Sequence, residues 1–215
     1  MSGFCYVRGQ EEIMYINTFQ YKLKDVNCSL CTEYRKATGC TACGCPWLAE
    51  RIEAGAVGYG EAVSVTFRDC PALLGRLRPL IRLFPGTLWR DEGHRLRMEG
   101  VKARLGYRRR RDTPAFHAAL YLLTADEDTY TRAANCFCKH GIEFGYARLR
   151  GVSPHGYALY MAARGICTGA EGLTVSDLAD KDVVDPEAFR LIVNAMLIAR
   201  YGPAALNLRE RGRTA

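Results

Sequence analysis

Three dipeptides, Thr113-Pro114, Ser153-Pro154 and Asp185-Pro186, fix where three helices of this chain begin. Each joins a side chain that accepts a hydrogen bond from an unpaired N–H at a helix start to a proline whose fixed φ suits the first helical position. An apolar run follows each pair. In "AFHAALYLLTA" the residues Phe116, Leu120 and Leu123 fall on one face. In "AFRLIVNAMLIARY" the residues Phe189, Ile192, Val193, Met196 and Leu197 form a wide apolar face that predicts a core helix. That run closes at Gly202-Pro203, with Arg200 in its last turn.

Weaker signals fill in the rest. Pro46 opens a short helix, "WLAERIEAG", which stops at Gly55. "VGYGEAVSVTF" is rich in Gly and Val and alternates weakly, which predicts a strand or an extended connection. "CPALLGRLRPLIRLF" is helical in pattern, with Pro79 expected to kink or divide it. A longer helix is predicted over "TLWRDEGHRLRMEGVKARLGY", and Asp126 is placed to cap one running through "EDTYTRAANCFCKH" to Gly141. The fold class that follows is mainly α, with α+β as the alternative. A cysteine-rich module over residues 1–69 precedes a helical domain over 70–215.

At 215 residues and 48% hydrophobic composition, the chain is long enough to bury a sizeable core without disulfides. No apolar run approaches the roughly 18–20 residues a membrane-spanning helix needs, and the N-terminus carries no basic segment leading into an apolar one. The expectation is a soluble, cytoplasmic protein with no membrane partner. In that reducing compartment, ten cysteines are better read as thiols or metal ligands than as disulfides.

Five of the ten crowd into "CSLCTEYRKATGCTACGCPW": Cys28, Cys31, Cys40, Cys43 and Cys45. Two CxxC knuckles can turn four thiolates onto one tetrahedral ion, and zinc, a d10 ion with no redox chemistry, suits such a set. Cys43 completes the commoner spacing, Cys45 precedes the helix-opening Pro46, and the two compete for the fourth position. An iron–sulfur run would place three cysteines two residues apart, which this one does not. A redox CxxC would sit beside a βαβ pattern, which is not evident. An all-cysteine zinc site is structural as a rule, because a catalytic one keeps a position open to water. Lone cysteines such as Cys70 and Cys167 read as small buried apolar groups.

Charge is the second uneven feature. Between Arg76 and Asp112 stand twelve Arg or Lys against four acids, a local +8 in a chain whose total is +7. The residues expected to contact nucleic acid or a partner are Arg76, Arg78, Arg82, Arg95, Arg97, Lys102, Arg104, Tyr107 and the run Arg108, Arg109, Arg110 and Arg111. Guanidinium groups offer fork geometry and weak hydration, which suits phosphates, so DNA or RNA is the expected partner. A solvated helical face, or a patch that meets an acidic protein, is the competing explanation. The glycines of "GAVGYGEAV" fit no phosphate-loop spacing. An enzymatic alternative rests on Cys136 and His140, four apart on the predicted helix and so on one face, where they would activate a thiolate or bind a second metal. Burial of Cys136 beside a helix-terminal His140 explains the same residues more simply.

The order "YINTFQYKLKDVNCSLCTEYRKATGC", "CPWLAERIEAGAVGYGEAV", "RRRRDTPAFHAALYLLTA", "HGIEFGYARLRGVSPHGYALYMAA" and "FRLIVNAMLIARYG" resembles uncharacterised accessory proteins of bacterial phages and conjugative elements. The resemblance spans nearly the whole chain and carries no residue-level chemistry with it. What it implies is context: a mobile-element protein acting on host nucleic-acid defence, of the anti-CRISPR type that inhibits RNA-guided nucleases. The combined expectation is a non-enzymatic binding protein with a structural zinc site. Its partner would be nucleic acid or a nucleic-acid-handling protein such as a nuclease.

Overall fold

A computed structural model describes residues 4–5, 16–17, 19–40, 42 and 44–210. Within them the protein is mainly helical. Strand is confined to three antiparallel two-residue pairs, of which β1 (Phe4–Cys5) with β2 (Ile16–Asn17) and β3 (Tyr34–Arg35) with β4 (Gly39–Cys40) precede the helices. The helices follow as α1 (Leu48–Glu53), α2 (Tyr59–Thr66), α3 (Leu74–Arg82), α4 (Glu92–Leu105), α5 (Pro114–Leu123) and α6 (Glu127–Ala133). After the hairpin of β5 (Phe137–Cys138) and β6 (Gly141–Ile142) come α7 (Pro154–Thr168), α8 (Val175–Ala179) and α9 (Pro186–Tyr201).

The three cap–proline pairs act as their chemistry requires. Thr113 accepts from the Phe116 N–H at 3.2 Å, Ser153 from Gly156 at 3.1 Å, and Asp185 from both Glu187 and Ala188 at 2.9 and 3.0 Å. Asp91 and Asp126 cap α4 and α6 in the same way. These caps aim α5, α7 and α9 into one bundle with α5 at its centre. Every residue of α5 from Phe116 to Leu123 is buried, so this helix is apolar all round and not on the single face its spacing suggested. Buried side chains of α9, among them Phe189, Ile192, Val193 and Leu197, pack against it.

Two stretches differ from the expectation. "VGYGEAVSVTF" forms α2: Gly58 in extended conformation starts the helix, and Tyr59, Ala62 and Val63 are buried at helical spacing. Packing against the body overrides the strand preference of Val and Thr. Pro79 sits inside α3 without dividing it. α6 ends at Ala133, well short of Gly141, because Cys136 and Phe137 turn inward and Phe137 and Cys138 pair with Ile142 and Gly141.

α1 and α2, though they precede residue 70, bury Leu48, Ile52, Tyr59 and Val63 in the same core as α5 and α9. The chain end returns to them, with the Tyr59 N–H donating to the Arg209 carbonyl at 2.9 Å.

A polar knot crosses this core. Asn194 of α9 is wholly buried; its Oδ1 accepts from the Tyr59 hydroxyl at 2.8 Å and its Nδ2 donates to the Leu88 carbonyl at 3.1 Å and to the Tyr121 oxygen at 3.2 Å. The Tyr121 hydroxyl also donates to the Leu88 carbonyl. Burial holds both tyrosines protonated by raising their pKa. His94 completes the group, with Nε2 2.8 Å from the Tyr121 carbonyl and Nδ1 3.2 Å from the Arg90 N–H, which fixes the neutral tautomer that donates through Nε2.

Asn194→Leu, which leaves the Tyr59 hydroxyl without its acceptor in a dry core, is expected to lower unfolding stability by roughly 2–4 kcal/mol in urea titrations. Acid should also act through His94. Burial first, against the hydrogen bond to Tyr121, pushes its pKa down to about 4. The unfolded state therefore binds a proton that the folded state refuses, and stability falls as pH drops from about 6.5 toward 4. Between pH 7 and 5 the loss is about 2 kcal/mol from this residue. A His94→Gln variant, less stable at pH 7, should show a shallower pH slope over that window.

Candidate metal centre and nucleic-acid interface

The cysteine segment folds as a 3-10 turn followed by a hairpin. Asn27 opens a 3-10 turn over Cys28–Leu30 by accepting from the Ser29 N–H at 3.0 Å. The Cys31 N–H then donates to the Cys28 carbonyl at 2.9 Å, and the Tyr34 N–H to the Cys31 carbonyl at 3.1 Å. β3 and β4 bring Cys40 opposite Tyr34, three residues past Cys31, through a turn in which Gly39 takes φ 76°. Cys28, Cys31, Cys40 and Cys45 thereby line one concavity of 330 Å³, beside Tyr34, Trp47 and Arg51.

All four are free thiols. Arg51 lines the same concavity and pairs with Glu61 at 2.9 Å, which sets a cation beside the thiols. Thiolate donors suit a soft metal ion by their chemistry, but their spacing here does not form a site. Among the described residues, no three Cys, His, Asp or Glu groups stand close enough to ligate one ion. Cys43 lies outside the described residues, and Cys45 lines the concavity.

The basic segment separates into anchored and exposed cations. Arg76 is buried, donating through Nη1 to the Leu178 carbonyl at 2.7 Å and to the Asp180 carbonyl at 3.2 Å, with its guanidinium 4.1 Å over the Phe189 ring. Arg97 donates to the Thr124 and Ala125 carbonyls at 2.8 and 2.9 Å and so closes the C-terminus of α5. Arg95 is held by Glu92 and Glu99 on its own helix. Arg111 is also buried, with Nε 2.6 Å from Asp112 Oδ1 and its fork on the Gly106 and Lys139 carbonyls. Arg76, Arg97 and Arg111 therefore serve the fold, a correction to the expectation that each faces a partner.

What stays outside is smaller and sharper. Arg78 and Arg82 are exposed on α3, and Lys102 and Arg104 on the last turn of α4. Tyr107, 76% exposed, leads into Arg108, Arg109 and Arg110, all exposed. The turn is locked from below. The Arg108 N–H donates to Asp112 Oδ2 at 2.8 Å, and the Arg111 and Asp112 N–H groups donate back to the Arg108 carbonyl at 3.1 and 2.9 Å. Beneath it a depression of 250 Å³ is lined by Lys102, Tyr107, Arg111 and buried His117, whose pKa burial and Lys102 both lower.

Cys136 and His140 do not share a helix face. Cys136 is fully buried, and burial, with Cys138 adding, pushes its thiol up to about 11. His140 is exposed in the hairpin turn. A grouping absent from the sequence reading lies elsewhere: His155 Nδ1 is 2.8 Å from Asp185 Oδ2, and its Nε2 is 3.9 Å from Asp126 Oδ2. Both carboxylates already cap helices, so His155 ties the starts of α6, α7 and α9 together. Burial would raise the Asp185 pKa, but the Ala188 N–H and His155 hold it below the usual carboxylate range. No helix among the described residues is long and apolar enough to cross a membrane. No family model, curated protein or solved structure matches the chain.

Proposed function

We propose that this is a non-enzymatic binding protein in which a zinc-centred cysteine module braces a helical body, and the body's arginine turn engages nucleic-acid phosphates. The observation that carries this reading is the partition of the four-arginine run. Arg111 with Asp112 anchors the turn from inside, while Arg108, Arg109 and Arg110 stand in solvent with no carboxylate partner among the described residues. A fixed turn bearing three unpaired guanidinium groups beside exposed Tyr107 supplies charge, fork geometry and a stacking ring at low ordering cost. The resemblance to mobile-element accessory proteins makes the nucleic-acid groove of an RNA-guided nuclease one target for such a turn.

For the metal, the support is that Cys28, Cys31, Cys40 and Cys45 line one concavity at the mouth of α1. Cys28, Cys31 and Cys40 would hold the ion with Cys45 or Cys43, and the zinc would supply a cross-link and no chemistry.

Affinity for duplex DNA, measured by fluorescence anisotropy across a salt series, should fall linearly on logarithmic axes. Alanine at Arg108, Arg109 and Arg110 together should flatten that slope by about three, about one per lost phosphate contact, with the melting temperature unchanged. Salt-independent affinity, or a slope unmoved by the triple substitution, removes the phosphate reading. In a separate assay, a chelator should lower the melting temperature, and elemental analysis should find one zinc per chain, lost in Cys28→Ser. Metal-free protein of unchanged stability would overturn the metal assignment.

A further inference from the structure

Tyr107 follows directly on Gly106, where α4 ends, and it is 76% exposed. Among the described residues its hydroxyl has no hydrogen-bond partner and its ring stacks on no other ring. Instead it lines the 250 Å³ depression beneath the turn, together with Lys102, Gly106 and Pro203. Lys102 and Pro203 are themselves exposed, so a group entering from solvent meets a cation, an aromatic ring and a proline ring. Asp112, the one carboxylate in the lining, is already engaged within the fold: Oδ1 accepts from Arg111 Nε at 2.6 Å and Oδ2 from the Arg108 N–H at 2.8 Å.

The depression is small for a whole ligand, since sites that enclose one begin at about 300 Å³. Its size suits one flat ring of a molecule held mainly elsewhere. The cations that would hold the rest are close by covalent connection. Arg108, Arg109 and Arg110 are exposed and follow Tyr107 directly, and three Cα steps of about 3.8 Å keep Arg110 within about 11 Å of it. A duplex can meet these guanidinium groups through its phosphates, but its bases are paired and stacked and offer Tyr107 no free face. A single strand offers both phosphates and faces.

Resting on the phosphate reading above, we propose that the ligand of the arginine turn is single-stranded nucleic acid, with one unstacked base on Tyr107 in the depression and the flanking phosphates on Arg108, Arg109 and Arg110. Stacking accepts any base, because each has a π-face, so the site is tolerant of sequence. DNA and RNA present the same phosphates and the same flat rings to it.

Fluorescence anisotropy of the full chain tests this with oligo-dT and oligo-U of about 12 nucleotides, near the length such surfaces cover. The controls, at equal length and equal salt, are a duplex and an abasic strand that keeps its phosphates and lacks the bases. The better of the two oligonucleotides should bind at least about fivefold more tightly than either control, the lower end of what stacking one base supplies. Either sugar satisfies the proposal, and the tighter of the two identifies the natural source. Tyr107→Ala should remove the advantage over the abasic strand, and Tyr107→Phe, which keeps the ring, should retain it. Equal affinity for the oligonucleotides and the abasic strand, tighter binding of duplex, or strand affinity unmoved by Tyr107→Ala overturns this inference even where the salt slope still answers to Arg108, Arg109 and Arg110. A slope that those arginines do not move removes the phosphate reading itself, and this inference with it.

Discussion

Asn194 can meet Tyr59, Tyr121 and the Leu88 carbonyl only if α9, α2, α5 and the loop before α4 are all in register. A core built from Leu, Ile and Ala alone tolerates sliding, because dispersion contacts are many and individually small. An amide in a dry interior does not, since each unmet hydrogen bond carries its full desolvation cost. The stacking of Tyr59 on Phe84 at 3.9 Å and the contact of His94 with Tyr121 widen the same constraint to the segment entering α4. The placement of α4, and with it the arginine turn at its end, depends on this knot through His94 and the Arg90 N–H.

That dependence explains how a segment of net charge +8 divides. Three cations were taken into the fold by backbone carbonyls at helix ends: Arg97 at the end of α5, Arg111 just after α4 on Gly106, and Arg76 in and after the last turn of α8. A guanidinium suits this work because five donors in a plane can serve several carbonyls at once. Arg78, Arg82, Lys102 and Arg104 stay outside on α3 and α4, and the densest exposed group, Arg108 to Arg110, follows Gly106, where α4 has ended. The surface density of positive charge is thus lower than the sequence count suggests, and its geometry more definite.

Much of the helical frame was legible in the sequence, because a cap and a proline act within four residues and need no tertiary partner. Thr113, Ser153 and Asp185 are the clearest cases. What was hidden depends on distant packing. α2 reads as a strand until Tyr59 and Val63 find the core, and α6 reads as longer until Cys136 and Phe137 turn inward. The candidate sites divide in the same way. The cysteine spacing draws attention to its segment but does not settle how the thiols are arranged, and nothing local in "LGRLRPL" separates buried Arg76 from exposed Arg78; only the apolar company of Leu77, one helical face over, hints that one arginine points inward.

The cysteine module and the helical body meet through a narrow joint. Cys45 leads directly into Pro46 and α1, whose Leu48 and Ile52 are core residues, and Arg51 on the same helix lines the cysteine concavity and pairs with Glu61 of α2. Any change in the state of the thiols is therefore felt first by α1 and α2. The bundle of α5, α7 and α9 has its own caps, and among the described cysteines of the cluster Cys45 is the one packed against the core. Loss of order in the module should then loosen α1 and α2 before it reaches the arginine turn, which is locked by Arg108, Arg111 and Asp112 and by the Gly106 and Lys139 carbonyls that hold Arg111. The division separates the part that would carry metal from the part that would carry charge, and each can change in sequence without undoing the other.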